Sequence, residues 1–410
     1  MATLQPFRAL RPKPEAAARI AAVPYDVVNT DEARALADGN PLSFLRVSRA
    51  ELELPPSADP YSGEVYERAA RNFETLRQSA LTLEQEPSVY LYRLRMGGHT
   101  QTGLAACFSI DEYDRDIIKK HERTRRDKED DRTRHMLALG AQTGPVFLTY
   151  RATAAVDRIV DRAACGSPLF DFRAPDDVHH TVWRVGGSER DALVTAFEAI
   201  PTLYIADGHH RAASAARARA GLNGGGRAGT SLGDGADAST MLAVAFPHDQ
   251  VQILPYNRIV RDLNGLSPAD FLTRVAERFE VAPGPAAPAR RGEIALYLEG
   301  KWQTLRPRAA TDRSDPIGSL DVSILQDQLL AAVLGIADVR TDKRIDFVGG
   351  ARGTAELQKL VDQGRAAVAF SLHPVAVADL MAVADAGAIM PPKSTWFEPK
   401  LRDGLLIHVI

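Results

Sequence analysis

The sequence predicts a mixed α/β fold: a larger N-terminal core of mixed sheets and helices, then a smaller α+β domain. Three observations predict it. Apolar runs of strand length alternate with amphipathic helical stretches along the 410 residues. Two stretches read as β-hairpins, Val89–Arg95 with Thr102–Ile110 across Gly97-Gly98, and Glu293–Leu298 with Trp302–Leu305 across Glu299-Gly300. At the centre, the apolar run Leu203-Tyr-Ile-Ala206 leads through Asp207-Gly208 into the Ala-rich helix Arg211–Ala220. The domain boundary is expected near 247, giving 1–247 and 248–410.

In chain order, Pro6–Leu10 reads as a short strand and Glu15–Ala21 as a short helix. Pro24 forces Val23 into extended geometry, so Val23-Pro-Tyr-Asp-Val27 presents Tyr25 and Asp26 rigidly. Asn29 and Glu32 have capping-box spacing for the next helix. After Asn40-Pro41, Phe44–Val47 reads as a strand. Tyr66, Ala69, Ala70, Phe73 and Leu76 share one helical face. The most charged run, Asp114–Arg134, precedes a buried-looking strand at 144–150. It reads either as a solvated helix or as a His, carboxylate and Arg cluster holding a polyphosphate or a metal–nucleotide.

Residues 151–200 read as helix, strand and helix, with His179-His180 on a sheet edge and their rings on opposite faces. Residues 222–239 are Gly-, Ala-, Ser- and Asp-rich, hence a flexible loop. Gly224, Gly226 and Gly229 match a dinucleotide pattern, but no strand precedes them and no apolar helix follows. Met241–Phe246 reads as a buried strand beside Leu203–Ala206. Ser267-Pro268 starts a helix. Strands at 345–348 and 366–370 are set among helices near 323–334, 354–362 and 375–386. Three prolines hold 390–400 extended, and Gly404–Val409 closes the chain as a strand.

The bulk composition is that of a soluble globular protein, and a formal net charge of −3 gives no global attraction to nucleic acid. Cys107 and Cys165 are too few for a disulfide framework or a zinc ribbon, and read as buried thiols in a reducing compartment. No apolar run approaches the roughly 20 residues of a membrane helix, and the N-terminus lacks a signal pattern. The expectation is a cytoplasmic protein without a membrane partner. A homodimer is left open.

The first amides of a helix starting after Gly208 have no intrahelical partner and sit at its positive end. With His209, His210 and Arg211 beside them, they read as a phosphate site. The plain alternative is Asp207 capping a solvated first turn. A His209–His210 metal pair reads more weakly, because adjacent helical side chains diverge by about 100°. There is no Gly-x4-Gly-Lys-Ser/Thr loop, kinase Gly-rich loop, Gly-x-Ser-x-Gly elbow or His-Glu-x-x-His helix, so nucleotide chemistry needs a different cradle.

Asp207-Gly-His-His-Arg211 after a strand resembles the phosphate-binding turn of the ParB/sulfiredoxin superfamily, which includes the ADP- or ATP-dependent free serine kinases. Over nearly its whole length the chain resembles the DUF1015 family. The carrying motifs are Val23–Val27, His121-Glu-Arg-Thr124 with Asp131-Arg132, Gly144-Pro-Val-Phe147, Ala206–Arg211 and Pro391–Lys400. The resemblance implies a ParB/sulfiredoxin-like nucleotide-binding core and phosphoryl transfer from ADP or ATP, with Mg2+, to a small hydroxyl compound such as free serine.

Under that reading Gly208, His209, His210, Arg211, His121 and Arg132 hold phosphates. Asp26 is the first choice of proton acceptor, with Glu122 and Glu32 in reserve; the similar kinases use Glu where this chain has Asp26. Asp207 orients His209 or holds the metal through water. Lys393, Ser394, Thr395 and Lys400 form a substrate lid. Competing readings are a ParB-like nucleotide-gated module on DNA, which lacks the usual helix-turn-helix and dimerising tail here, and a nucleotide hydrolase or His-metal enzyme.

Overall fold

The computed structural model describes residues 1–223, 237–310, 312 and 314–410. The loop expected at 222–239 and its glycine pattern therefore lie almost entirely outside the described residues. Contacts divide the chain into two compact units, Met1–Val251 with Pro399–Ile410, and Gln252–Glu398. The last twelve residues thus belong with the N-terminal portion and not with 252–398. The reason is local pairing: Ile407 bridges Leu10, Asp403 bridges Ala22, and His408–Val409 pairs with Ala141–Gln142.

In the first unit, the strands of the nine-stranded sheet are β1 (Leu4–Gln5), β2 (Val89–Met96), β3 (His99–Ser109), β4 (Ile118–Lys119), β5 (Val146–Tyr150), β6 (Phe170–Arg173), β7 (His179–Val185), β8 (Leu203–Asp207) and β9 (Thr240–Pro247). Their order is β4-β8-β5-β9-β3-β2-β7-β6, with β1 on β3. β4 is parallel to β8 and β9 is parallel to β5, while the remaining pairs are antiparallel. The principal helices are α1 (Thr30–Ala37), α2 (Gly63–Ser79), α3 (Arg126–Leu139), α4 (Ala154–Ala163), α5 (Gly187–Phe197) and α6 (His209–Asn223). Burial of Leu104, Phe108, Leu148, Phe197, Ile205 and Ala212 joins the sheet to its helices.

Local signals hold where they were strongest. Asn29 accepts from the Glu32 amide and Glu32 accepts from the Asn29 amide, both at 2.9 Å. The 89–109 hairpin turns at Gly97-Gly98. Other expectations change. Phe44–Val47 is not a strand: Leu45–Ser48 is a helical turn. Phe44, Leu45 and Val47 are all buried in one core, and strand alternation would send Phe44 and Leu45 to opposite faces. β9 does not lie beside β8, because β5 is inserted between them. β7 is not an edge strand, since β6 lies outside it. The two histidines do face opposite ways: His180 is buried on Tyr92 Oη at 2.9 Å, while His179 meets Asp171 at 2.8 Å. Cys107 is buried but Cys165 is exposed, past the end of α4.

The second unit has an antiparallel six-stranded sheet containing the 294–307 hairpin across Glu299-Gly300. Ser267 Oγ caps the Pro268–Ala276 helix through the Asp270 amide at 3.1 Å. The helix expected at 323–334 is shorter, Asp321–Leu325, and continues as π-helix to Ala331. No helix among the described residues is long and apolar enough to cross a membrane.

Candidate functional site

The central turn forms as its residues dictate. β8 is buried from Leu203 to Ala206, and Gly208 takes φ +92°, open to glycine. A Cβ at Gly208 would also come within 3.0 Å of Arg211 Nε. α6 begins at His209, and the Gly208 carbonyl accepts from Ala212 N at 3.0 Å. The helix N-terminus is where the residue pattern places it.

Asp207 is partly exposed, but both its oxygens accept hydrogen bonds. Oδ1 takes the Gly208 amide at 2.8 Å, and Oδ2 takes Lys400 Nζ at 2.9 Å. Burial alone pushes the Asp207 carboxyl up; Lys400 and Arg211 outweigh it and hold the group well below the usual carboxylate range. Lys400 already neutralises Asp207, so a magnesium ion there would compete with that ammonium for the carboxylate.

Arg211 departs from expectation. Its guanidinium is packed inward, at 6% exposure, instead of being presented to open solvent. Nη1 donates to the Pro145 carbonyl, and Nη2 lies 4.0 Å from Asp207 Oδ1. The physical cause is the ring of negative charge around it. Burial disfavours the guanidinium cation, yet Asp207, Asp26 and Asp403 more than offset that. Arg211 Nε is buried and has no hydrogen-bond partner among the described residues.

The two histidines of the turn diverge. His210 Nε2 accepts from the Arg125 amide at 3.1 Å. His209 is buried against His121, their rings perpendicular with centroids 4.4 Å apart. His209 Nε2 accepts a long bond from the His121 amide, 3.4 Å. Burial holds the His121 imidazole down at about 4, and burial, then His121, holds His209 well below its ordinary value. Both rings are neutral at pH 7. Glu122 brings a carboxylate oxygen within 4.8 Å of ring nitrogens of both.

The charged run resolves into two parts. Residues 121–125 form a loop and α3 starts at Arg126. Asp131 is buried, accepting from Tyr66 Oη at 3.0 Å and Arg132 Nε at 2.8 Å. The Arg132 guanidinium lies 4.1 Å from the Tyr25 ring centroid, a cation–π contact. Arg132 is therefore already committed to Asp131 and Tyr25. Asp26 is exposed beside them, within electrostatic reach of Arg211 and Asp403. Arg49 holds the Asp26 loop by donating to the carbonyls of Tyr25 and Val28 and to Thr30 Oγ1.

Sequence reasoning missed Asp403. Its carboxyl is buried, and Oδ1 has no partner among the described residues. Burial pushes it up to about 7; Arg211 pulls it down and Asp26 raises it again. Gly144 makes room for it, since a Cβ there would meet Asp403 Oδ1 at 2.6 Å. Arg402, also buried, pairs with Asp176 through Nη2 and leaves Nη1 unpartnered. The available signal was proximity in sequence, because Arg402-Asp403-Gly404 directly follows the Lys400 motif.

In the second unit, Lys393 Nζ lies 5.4 Å from the Tyr256 ring centroid and its carbonyl accepts from Arg258. Ser394 Oγ donates to the Pro391 carbonyl at 2.6 Å, closing a turn with Lys393 at φ +58°. Thr395 follows, leading into the two-residue strand Trp396–Phe397. The 390–400 segment is thus a turn and short strand, not one extended run. Lys393, Ser394 and Thr395 belong to one unit and Lys400 to the other.

Tyr25-Asp26, His121-Glu122, Asp131-Arg132, Gly144-Pro145, Asp207–Arg211, Lys400 and Asp403 therefore build one polar cluster in the first unit. The chain belongs to the family described as Protein of unknown function (DUF1015), whose sequence profile matches residues 4–323. Asp403 and the 391–400 motif lie beyond that match. No curated protein matches significantly. Among solved structures, the chain is similar to a free serine kinase in complex with AMP (16% identity, 73% of this chain and 92% of that one, TM-score 0.36). It is also similar to SbnI with C-terminal truncation from Staphylococcus aureus (12%, 73% and 85%, TM-score 0.38). A third is a conserved hypothetical protein from Pyrococcus furiosus (15%, 74% and 94%, TM-score 0.35).

Proposed function

We propose that this protein is a nucleotide-dependent phosphotransferase acting on a small hydroxyl-bearing metabolite, with ADP or ATP as donor and free L-serine as the first acceptor to test. The observation that carries the reading is a buried guanidinium donor in the cluster at the start of α6, Arg211 Nε, which has no hydrogen-bond partner among the described residues. A buried donor left unmade costs about 1–3 kcal/mol, more when charged, and a phosphate oxygen arriving with its own charge would satisfy it. The turn's resemblance to the ParB/sulfiredoxin phosphate loop supplies the choice of ligand.

In this reading the first amides of α6 and Arg211 hold phosphate oxygens, and Lys400 moves between Asp207 and the anion. Asp26, exposed at the rim, accepts the acceptor's hydroxyl proton as the new oxygen–phosphorus bond forms and the bond to the leaving nucleotide breaks. Asp403 is the second candidate proton acceptor. A magnesium ion would neutralise phosphate charge when bound, but no protein ligand is assigned to it.

The test is a thermal-shift screen of ADP, ATP and CTP with magnesium, followed by phosphate transfer to serine and other small hydroxyl compounds. A saturable rise in Tm with a nucleotide is expected, and none with any of them would remove the reading. Asp26→Asn should keep nucleotide affinity within about threefold and lower turnover at least 100-fold. Full retained turnover would exclude Asp26 as the base.

A further inference from the structure

We propose that His121, Glu122 and His209 form a binding site for a first-row divalent transition metal, with zinc the first candidate. The inference is separate from phosphoryl transfer and does not involve Asp207. One ligand atom from each residue lies within 4.8 Å of the other two. The His121 ring is 2% exposed, and neither of its nitrogens has a hydrogen-bond partner of good geometry among the described residues. The Ile205 backbone interacts with one side of the ring, and a metal bond would satisfy the other nitrogen, which is costly to leave unmet when buried.

The tautomer of His209 is also readable. Its Nε2 accepts from the His121 amide, so that nitrogen carries its lone pair toward His121. At 3.4 Å this bond is long and readily exchanged for a metal. The His121 and His209 rings meet edge to face at 4.4 Å, bringing together nitrogens from a loop and from a helix start.

Two neutral imidazoles and one carboxylate make a borderline donor set. It suits zinc, or iron and cobalt in a two-histidine, one-carboxylate face, better than magnesium. Three protein ligands leave a coordination position open for water or an anion. Asp207 supplies negative charge near both rings, and Arg211 offsets part of it at His209.

The sequence considered His209 with His210. The structure instead pairs His209 with His121, because consecutive helical residues diverge while the 121–125 loop folds over the start of α6.

The experiment titrates metal-free full-length chain with Zn2+ and, separately, Co2+, with no nucleotide present. Expected are one equivalent of metal per chain, the visible bands of a low-coordinate cobalt site, and at least 100-fold tighter binding of Zn2+ than of Mg2+. His121→Ala and Glu122→Gln should each weaken binding at least tenfold, while His210→Ala should leave it within threefold. No stoichiometric binding to the wild-type chain would overturn the site, whatever the variants do. So would binding that survives His121→Ala, or that requires His210. Should His121→Ala fail to fold, Glu122→Gln and the wild-type titration still decide. Nucleotide affinity is read separately, so loss of either site is distinguishable from loss of the other.

Discussion

Asp207 and Asp403 sit by the same guanidinium and settle on opposite sides of the ordinary carboxylate range. Asp207 ends β8, where Lys400 and the Gly208 amide bond both of its oxygens, and it stays ionised. Asp403 stands in the C-terminal return, fully buried, with Oδ1 unmet and Asp26 adding negative charge. Burial acts upward on both. The difference is the donor count, and it separates a group fixed in charge from one that titrates near neutral pH.

The comparison breaks most severely at the shared cation. Arg211→Ala would leave Asp207, Asp403 and Asp26 without their common counter-charge, and removing one partner of a buried ion pair costs about 3–5 kcal/mol. Thermal and urea unfolding should show a loss of this size at pH 7.5. A loss under about 1 kcal/mol would mean that the carboxylates do not depend on Arg211.

Asp403 predicts a pH effect of up to about 4 kcal/mol, the free-energy equivalent of moving its carboxyl from 3.8 to about 7. Its folded value, about 7, lies above the ordinary 3.8, so the native state binds the proton more tightly. This group's contribution is therefore complete below about pH 4, falls as pH rises toward 7, and is flat above. Asp403→Asn should remove that slope, and urea unfolding at pH 5 and pH 8 measures it. An unchanged slope in the variant would contradict the assignment.

Asp207 gives the opposite sign. Its value is depressed, so its contribution stands above about pH 4 and is lost only in acid. Lys400→Met should cost about 2 kcal/mol at pH 7, and the gap from wild type should narrow below about pH 4. A gap independent of pH would point to packing and not to the ion pair. The smallest effect expected is from Gly144→Ala, which crowds Asp403 Oδ1 and should cost about 1–2 kcal/mol, with less cost in the Asp403→Ala background.

The same contrast explains what the sequence makes legible. The β8 turn and α6 are local: an apolar run, Asp-Gly and helix formers act within a few residues, and the helix starts where they say. The caps at Asn29 and Ser267 are local for the same reason. Strand order is not local, and nothing within Met241–Phe246 states that β5 intervenes before β8. The inward turn of Arg211 was equally hidden, since it depends on Asp26 and Asp403 arriving from the two ends of the chain. His121 and His209 meet through tertiary folding, whereas the adjacent pair His209-His210 drew attention in the sequence and then diverged.

In the proposed function, the unmet guanidinium edge at the start of α6 receives a phosphate oxygen. Calorimetric titration of ADP and of ATP into the wild-type chain and into Arg211→Lys tests it directly. Lysine keeps the charge but loses the planar fork and its Nε donor. The account predicts one saturable nucleotide site that Arg211→Lys weakens at least tenfold while the variant remains folded. Equal affinity in the two proteins, or no saturable binding to wild type, would contradict it.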